Sequence, residues 1–87
     1  MLSDFRYANI YLVCGYTDLR YGIDSLAQTV KEHFALSPFS SDTIFLFCGR
    51  RSDRIKALVW EGDGFLLLYK RLEQGKFVWP RTESDVK

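Results

Sequence analysis

The chain has 87 residues and a formal net charge of +1, and 47% of its residues are apolar and 16% aromatic. A chain of this length and composition is too apolar to be disordered and buries one modest core, so we expect a single small domain over residues 1–87. Its longest strongly apolar run, residues 65–69, is too short to cross a bilayer, and Met1 is not followed by the regions of a signal peptide. We expect a cytoplasmic protein.

The cysteine pattern excludes two classes of small protein. Cys14 and Cys48 are the only cysteines, and they form neither a CxxC pair nor a cluster with histidine. A disulfide-stapled scaffold and a zinc knuckle are therefore excluded, and a reducing compartment is favoured. We interpret both residues as buried thiols on neighbouring strands.

The first half of the chain predicts a strand, a turn and a helix. Residues 9–15, NIYLVCG, predict a strand that is apolar on both faces, which favours an interior position or one covered by a helix. Thr17 and Asp18 are typical capping residues, and Gly22 interrupts their turn, so a short turn precedes the main helix. That helix starts at Ile23, because its apolar residues then recur at helical spacing on one face: Ile23, Leu26, Ala27, Val30 and Phe34.

Two further residues concern this helix. Pro38 ends it and favours an extended conformation at Ser37. His33, the only histidine, lies beside the apolar face without a partner carboxylate or cysteine nearby in the sequence, so we interpret it as a surface residue rather than a base.

The second half predicts a meander of antiparallel strands. Its strands are predicted at residues 43–48, 54–60 and 65–70, with a short fourth one at 76–79. Asp63-Gly64 predicts a type I′ turn between the second and third of them. The predicted fold is therefore α+β: a β-α unit, then an antiparallel meander of three or four strands, with one amphipathic helix packed on the sheet. Residues 9–80 are the expected ordered core.

The chain has few groups that could carry catalysis. It contains no GxSxG, no HExxH and no P-loop, and its carboxylates are scattered singly. We expect no enzymatic activity, no metal and no cofactor. An enzyme using Asp18 and Arg20 is the weakest hypothesis, since a capping acid and a salt-bridging cation explain the same two residues.

Positive charge is concentrated in the second half. Residues 47–81 carry a net +4, whereas residues 1–46 carry a net −2. Pairing of the predicted strands brings Lys56 near Lys70 at the end that holds the loop at 49–53. This predicts a basic edge for DNA phosphates, flanked by Tyr69, Trp60 and Trp79. The candidate binding residues are Arg50, Arg51, Arg54, Lys56, Lys70 and Arg71.

The residues alone leave a second interpretation of the basic edge open. Its cations could instead keep an apolar sheet in solution, protect its edge strands, or pair with acids such as Asp53 and Glu73. Trp60 and Trp79 would then belong to the core rather than to a stacking surface.

Five ordered blocks of the sequence carry a resemblance to a known family. They are GYTDLRYGIDSLA at 15–27, PFS at 38–40, FCGRRSDRIK at 47–56, WEGDG at 60–64 and KRLEQGKFVWP at 70–80. Together they resemble the TnpB (Orf2-like) accessory proteins of the IS66 insertion-sequence family, which are distinct from the RNA-guided nuclease of the same name. Members usually continue well past the Trp-Pro pair, so the resemblance implies that residues 81–87 are a truncated tail.

The resemblance implies a function in transposition. It implies a bacterial protein encoded beside a separate DDE-type transposase, without catalytic residues, that assists movement of the element. Combined with the charge pattern, it predicts contact with DNA, the transposase or both through the basic edge. The alternative is a protein-interaction module that binds an acidic partner without touching DNA. Neither hypothesis involves a membrane or a small-molecule substrate.

Overall fold

One helix and four strands make up the fold in a computed structural model that describes residues 7–82 and 84. The sheet has the order β1-β2-β3-β4, in which β1 is parallel to β2 and the later pairs are antiparallel. The predicted α+β fold is confirmed. Residues 83 and 85–87 of the predicted tail lie outside the described residues. The elements are β1 (Asn9–Leu12), α1 (Ile23–Phe34), β2 (Thr43–Cys48), β3 (Arg54–Trp60) and β4 (Phe65–Arg71).

Strand β1 lies at the edge of the sheet and is covered by the helix on one face. A parallel pair needs a crossover connection, and α1 supplies it between β1 and β2. The ring of Tyr11 lies 5.3 Å from that of Phe34 on the helix and 5.6 Å from that of Phe45 on β2. Of the two predicted positions for this strand, the one covered by a helix is confirmed, and the one in the interior of the sheet is wrong.

The predicted apolar face of α1 forms the core with the sheet. Leu26 and Val30 are fully buried against Phe45, Phe47 and Leu58, while the other three residues of that face pack partly buried against the same cluster. Each fully buried side chain of this size contributes about 2 kcal/mol through removal of apolar surface from water. This packing fixes the helix over the middle of β2 and β3.

The helix ends before the proline that was predicted to stop it. Ala35 takes a left-handed conformation, with φ of 53°, and its N–H donates to the Lys31 carbonyl at 3.1 Å. This is a common way to satisfy a free carbonyl of the last turn. Pro38, which is buried, therefore lies in the connection after the helix rather than at its end.

The hairpin between β3 and β4 forms as predicted, but with a different turn. Trp60 pairs with Phe65, and the Glu61 N–H donates to the Gly64 carbonyl at 2.9 Å. The positive φ, 90°, falls on Gly62 and not on Asp63. Glycine at the first central position is typical of a type II′ turn, so the type I′ prediction is wrong.

The segment after β4 closes one end of the sheet without forming the predicted fourth strand of the meander. The Phe77 N–H donates to the Ser52 carbonyl at 2.6 Å, and the Trp79 indole N–H donates to the Val13 carbonyl at 2.9 Å. The two acceptors lie in different connecting segments and not along one neighbouring strand. Residues 76–79 therefore do not form a strand. Trp79 is half-buried by this arrangement.

Candidate nucleic-acid interface

A cleft of about 520 Å³ opens where the two parallel strands end. One wall is the turn that follows β1, and the other is the loop that follows β2. Ligand sites often occur outside the carboxyl ends of parallel strands, because the loops that leave them meet there. The lining residues are Tyr16, Thr17, Asp18, Leu19, Arg20, Gly49, Arg50, Arg51, Asp53, Arg54 and Tyr69.

The two walls are joined at the base of the cleft. The Thr17 N–H donates to the Cys48 carbonyl at 2.8 Å, and the Gly49 N–H donates to the Arg54 carbonyl at 3.1 Å. A Cβ atom on Gly49 would lie 3.0 Å from Cδ1 of Leu19, which is closer than such atoms normally approach. The missing side chain therefore lets the loop pack directly against the turn.

The loop at residues 49–53 is held by its own backbone. The Ser52 N–H donates to the Gly49 carbonyl at 2.9 Å, and Ser52 adopts a left-handed φ of 62°. The carbonyls of Ser52 and Asp53 accept N–H groups from the segment after β4, at 2.6 and 2.7 Å. Arg50 and Arg51, both exposed, therefore project from an anchored loop, and neither makes an ion pair within residues 7–82 and 84.

Arg54 has hydrogen-bonding capacity that the described residues do not use. Its Nε lies 3.5 Å from Oδ1 of Asp53, within range for charge attraction. The two atoms are nevertheless not aligned for a hydrogen bond, and both are buried without any other partner in the described part of the chain. Buried polar groups are normally paired, so this pair of atoms is an exception within the described residues.

Asp18 and Arg20 form an ion pair at the other wall. The Arg20 guanidinium donates to both carboxylate oxygens, with Nη2 at 2.6 Å from Oδ2 and Nε at 3.0 Å from Oδ1. The Arg20 backbone N–H also donates to Oδ1 at 2.9 Å, which closes the turn before the helix. The side-chain hydrogen bonds from Arg20, followed by its backbone N–H, lower the pKa of Asp18 from 3.8 to about 2.

The lowered pKa of Asp18 predicts a specific acid sensitivity. In the unfolded chain this carboxyl titrates near 3.8, so the stabilisation from its ion pair is complete above pH 4 and is lost as the pH falls toward 2. We expect the melting temperature of the wild type to fall over this interval more than that of Asp18→Asn. Asp63→Asn, which alters a turn carboxylate without an ion pair in the described residues, is the control and should keep the wild-type profile. If the melting temperatures of the wild type and Asp18→Asn fall equally between pH 4 and pH 2, the ion pair of Asp18 does not contribute to stability.

The remaining predicted cations do not line the cleft. Lys56 pairs in register with Tyr69, and Lys70 pairs with Ile55. Since successive side chains of a strand alternate between faces, the two lysines lie on opposite faces of the sheet, contrary to the expectation that they meet. Arg71 is next to Arg54 in register, but its Nε donates to Oε2 of Glu73 at 3.0 Å.

Lys56 holds the turn over the sheet. Its ammonium donates to the Tyr21 carbonyl at 2.9 Å, which links β3 to the segment that enters the helix. We expect Lys56→Met to lower the free energy of unfolding by about 1 kcal/mol, measured by urea denaturation, because that carbonyl loses its donor. Lys70→Met is the matched control and should stay within about 0.5 kcal/mol of wild type. Equal losses in the two variants would mean that the Lys56 contact contributes nothing.

Trp60 and His33 lie away from the cleft, and the thiol of Cys48 beside it is buried. Trp60 is at the far end of β3, where its ring packs 5.0 Å from those of Phe39 and Phe65. His33 is exposed on the helix, with its ring 4.9 Å from that of Phe34. Cys48 is fully buried, and burial raises the pKa of its thiol, which disfavours the reactive thiolate.

Cys14 lies apart from the lining of the cleft. Cys14 is half-buried just after β1, so only one of the two cysteines is the fully buried thiol that was predicted. Within residues 7–82 and 84, no group of three or more His, Cys, Asp or Glu side chains is placed to hold a metal ion. No helix in this part of the chain is long and apolar enough to cross a bilayer.

Part of the cleft was not predicted from the sequence. Tyr16 and Arg20 line it together with the arginines of the loop, although they lie far from those arginines in the chain. The parallel pairing of β1 with β2 is the signal that would have found them, because it brings the segments after both strands to the same end of the sheet. Of the predicted binding residues, the cleft contains Arg50, Arg51 and Arg54, and of the aromatic residues predicted to flank them it contains Tyr69.

Comparison with known proteins gives a family and two relatives. The family described as IS66 Orf2-like proteins matches residues 8–87. The protein y4hO of Sinorhizobium fredii (strain NBRC 101917 / NGR234) is 37% identical over 84 residues, which are 97% of this chain and 72% of that protein. The protein y4jC of the same strain is 34% identical over 84 residues, at 97% and 71% coverage. Both relatives are described as uncharacterized, and no solved structure matches.

Proposed function

Because the chain belongs to the IS66 Orf2-like family, we propose that it is a non-catalytic accessory protein of an insertion sequence that contacts DNA through the cleft. The observation that carries the proposal is the pair Arg50 and Arg51, exposed side by side on an anchored loop with no acidic partner among residues 7–82 and 84. The family supports the role in transposition, and the arginine pair supports the mode of contact.

The guanidinium groups of the arginine pair are well suited to bind the phosphates of DNA. Arginine presents a planar fork of donors that matches two phosphate oxygens, and its charge is permanent. Each phosphate that it neutralises also releases condensed counterions, which favours binding at low salt. With a total charge of only +1, the attraction must be local to this surface rather than spread over the whole protein.

The transposase of the same element is the second proposed partner. Carboxylates match the guanidinium fork as well as phosphates do, so an acidic patch on that protein would fit the same arginine pair. Contact with the transposase and contact with DNA are compatible within one complex. If only the protein contact exists, the chain is an interaction module without DNA contact.

A salt-dependent titration tests the DNA contact. Nucleic-acid-free protein is titrated into labelled duplex and single-stranded DNA from an element end, at several salt concentrations. We expect the logarithm of the affinity to fall linearly with the logarithm of the salt concentration. Absence of binding to both DNAs at the lowest salt would contradict the proposal.

Co-purification with the transposase separates the two partners. The two proteins are co-expressed, and the complex is isolated with and without complete nuclease digestion. Retention only without nuclease supports contact through DNA, whereas retention after digestion supports a direct protein contact. If the titration is negative and retention survives digestion, the interaction module replaces the DNA-contact proposal.

A further inference from the structure

Two tyrosines that line the cleft are exposed to solvent. Tyr69 is 53% exposed and Tyr16 is 44% exposed, although both line the same cavity. Neither ring contacts another aromatic ring in the described part of the chain, whereas Tyr11 is packed between Phe34 and Phe45. Aromatic faces left open in a cleft are platforms on which a flat, unsaturated ring can stack.

The count of free cations at the cleft is small. Arg20 is neutralised by Asp18, and Arg54 lies beside Asp53. Of the cations that line the cleft, only Arg50 and Arg51 then remain without an acidic partner in residues 7–82 and 84, enough for one or two phosphates. Proteins that hold a duplex through its backbone commonly use roughly 6–10 phosphate contacts. Phosphate contacts alone therefore provide weak binding here, and a further contact must add to them.

The shape of the cleft favours an exposed base for that contact. Its volume of about 520 Å³ lies within the range of roughly 300–1,000 Å³ found for small-ligand clefts. In a duplex the faces of the bases are covered by their neighbours, whereas unpaired bases can leave the stack and lie on aromatic side chains. A concave site with open tyrosines therefore suits one unpaired nucleotide better than a duplex.

We propose that the cleft binds single-stranded DNA, with an unpaired base stacked on Tyr69 and the adjacent phosphate held by Arg50 and Arg51. This inference rests on the proposed function and adds the strand state of the DNA and the residue that recognises the base. Tyr16, on the turn that follows β1, lines the same cleft. Stacking on a tyrosine does not discriminate among bases, so the preference is for unpaired DNA rather than for a sequence.

Three DNA probes and three variants test the inference. The probes are an oligothymidine of about ten nucleotides, which is comparable to known single-strand site sizes, an abasic strand of equal length, and a hairpin duplex with the same number of phosphates. The variants are Tyr69→Ala, Tyr69→Phe, and Tyr21→Ala as a control, because Tyr21 is 41% exposed but does not line the cleft. Binding is followed by fluorescence anisotropy, and folding of each variant by circular dichroism.

We expect the wild type to bind oligothymidine about ten-fold tighter than the abasic strand or the duplex, because only the first offers open bases. Tyr69→Ala should lose about ten-fold for oligothymidine and nothing for the abasic strand, while Tyr69→Phe and Tyr21→Ala stay near wild type. Equal affinities for all three probes, or an unchanged Tyr69→Ala, would overturn the inference and leave the proposed DNA contact standing. No binding to any probe at low salt would reject the proposed function itself.

Discussion

Replacing Arg50 and Arg51 together by alanine is expected to lower the affinity for DNA about a hundred-fold at moderate salt. Each guanidinium that holds a phosphate contributes roughly a factor of ten, since hydrogen bonds to charged groups are worth about 1.5 kcal/mol or more. Neither residue makes an ion pair within residues 7–82 and 84, so their removal leaves no unpaired acid there. The fold should remain intact. The plot of log affinity against log salt should become shallower, its slope falling in magnitude by about 2.

The matched control for this variant is Lys31→Ala with Lys70→Ala. It changes the net charge by the same amount, but Lys31 lies in the last turn of the helix and Lys70 on the face of the sheet opposite Lys56. We expect less than a three-fold loss of affinity, because neither lysine lines the cleft and exposed charges without a direct contact are screened by salt. Equal losses in the two double variants would show that binding depends on overall charge and not on the cleft.

Replacing Phe45 by alanine is expected to unfold a large fraction of the protein. Phe45 is 1% exposed at the centre of the core, and its ring lies 6.0 Å from that of Phe34. A buried Phe→Ala change costs about 3–5 kcal/mol. The total stability of a chain of this length is only about 4–13 kcal/mol, so the variant should have a much lower denaturation midpoint or no cooperative transition.

Two further variants make this stability prediction specific. Phe45→Leu retains most of the buried volume and should keep a cooperative transition at a smaller loss, because the residual cavity is smaller. Val78→Ala removes apolar atoms from a fully exposed side chain and should stay within about 0.5 kcal/mol of wild type. Urea denaturation followed by tryptophan fluorescence measures all three. A Phe45→Ala protein as stable as Val78→Ala would contradict the position of Phe45 at the centre of the core.

The helix and the hairpin could be predicted because their signals are local. Leu26 and Val30 recur at the spacing of one helical face, and both are fully buried in the structure. Glycines in a run between two strand-like segments predict a hairpin, and the hairpin is present. Which glycine takes the positive φ could not be predicted, since residues 61–64 contain two of them and the pairing of Trp60 with Phe65 decides between them.

The cleft could be predicted only in part. A run of arginines marks the loop after β2, and charge placement alone suggests an anion-binding surface there. The opposite wall depends on β1 lying parallel to β2 at the edge of the sheet, a contact between segments distant in the chain. Strand β1 is apolar at Ile10 and Leu12 as well as at Tyr11, so alternation alone does not reveal which face the helix covers.

The sequence by itself determined the helix and the strands that form, the buried face of the helix, the basic loop and the resemblance to the IS66 family, because these depend on local spacing and short motifs. Only the tertiary structure decided which cations share the cleft. Lys56 and Lys70 are one register position apart across paired strands and therefore lie on opposite faces, whereas Arg50, Arg51 and Arg54 meet Tyr16 and Arg20. A shift of one residue in strand register moves a side chain to the other face, and register is set by long-range packing rather than by local composition.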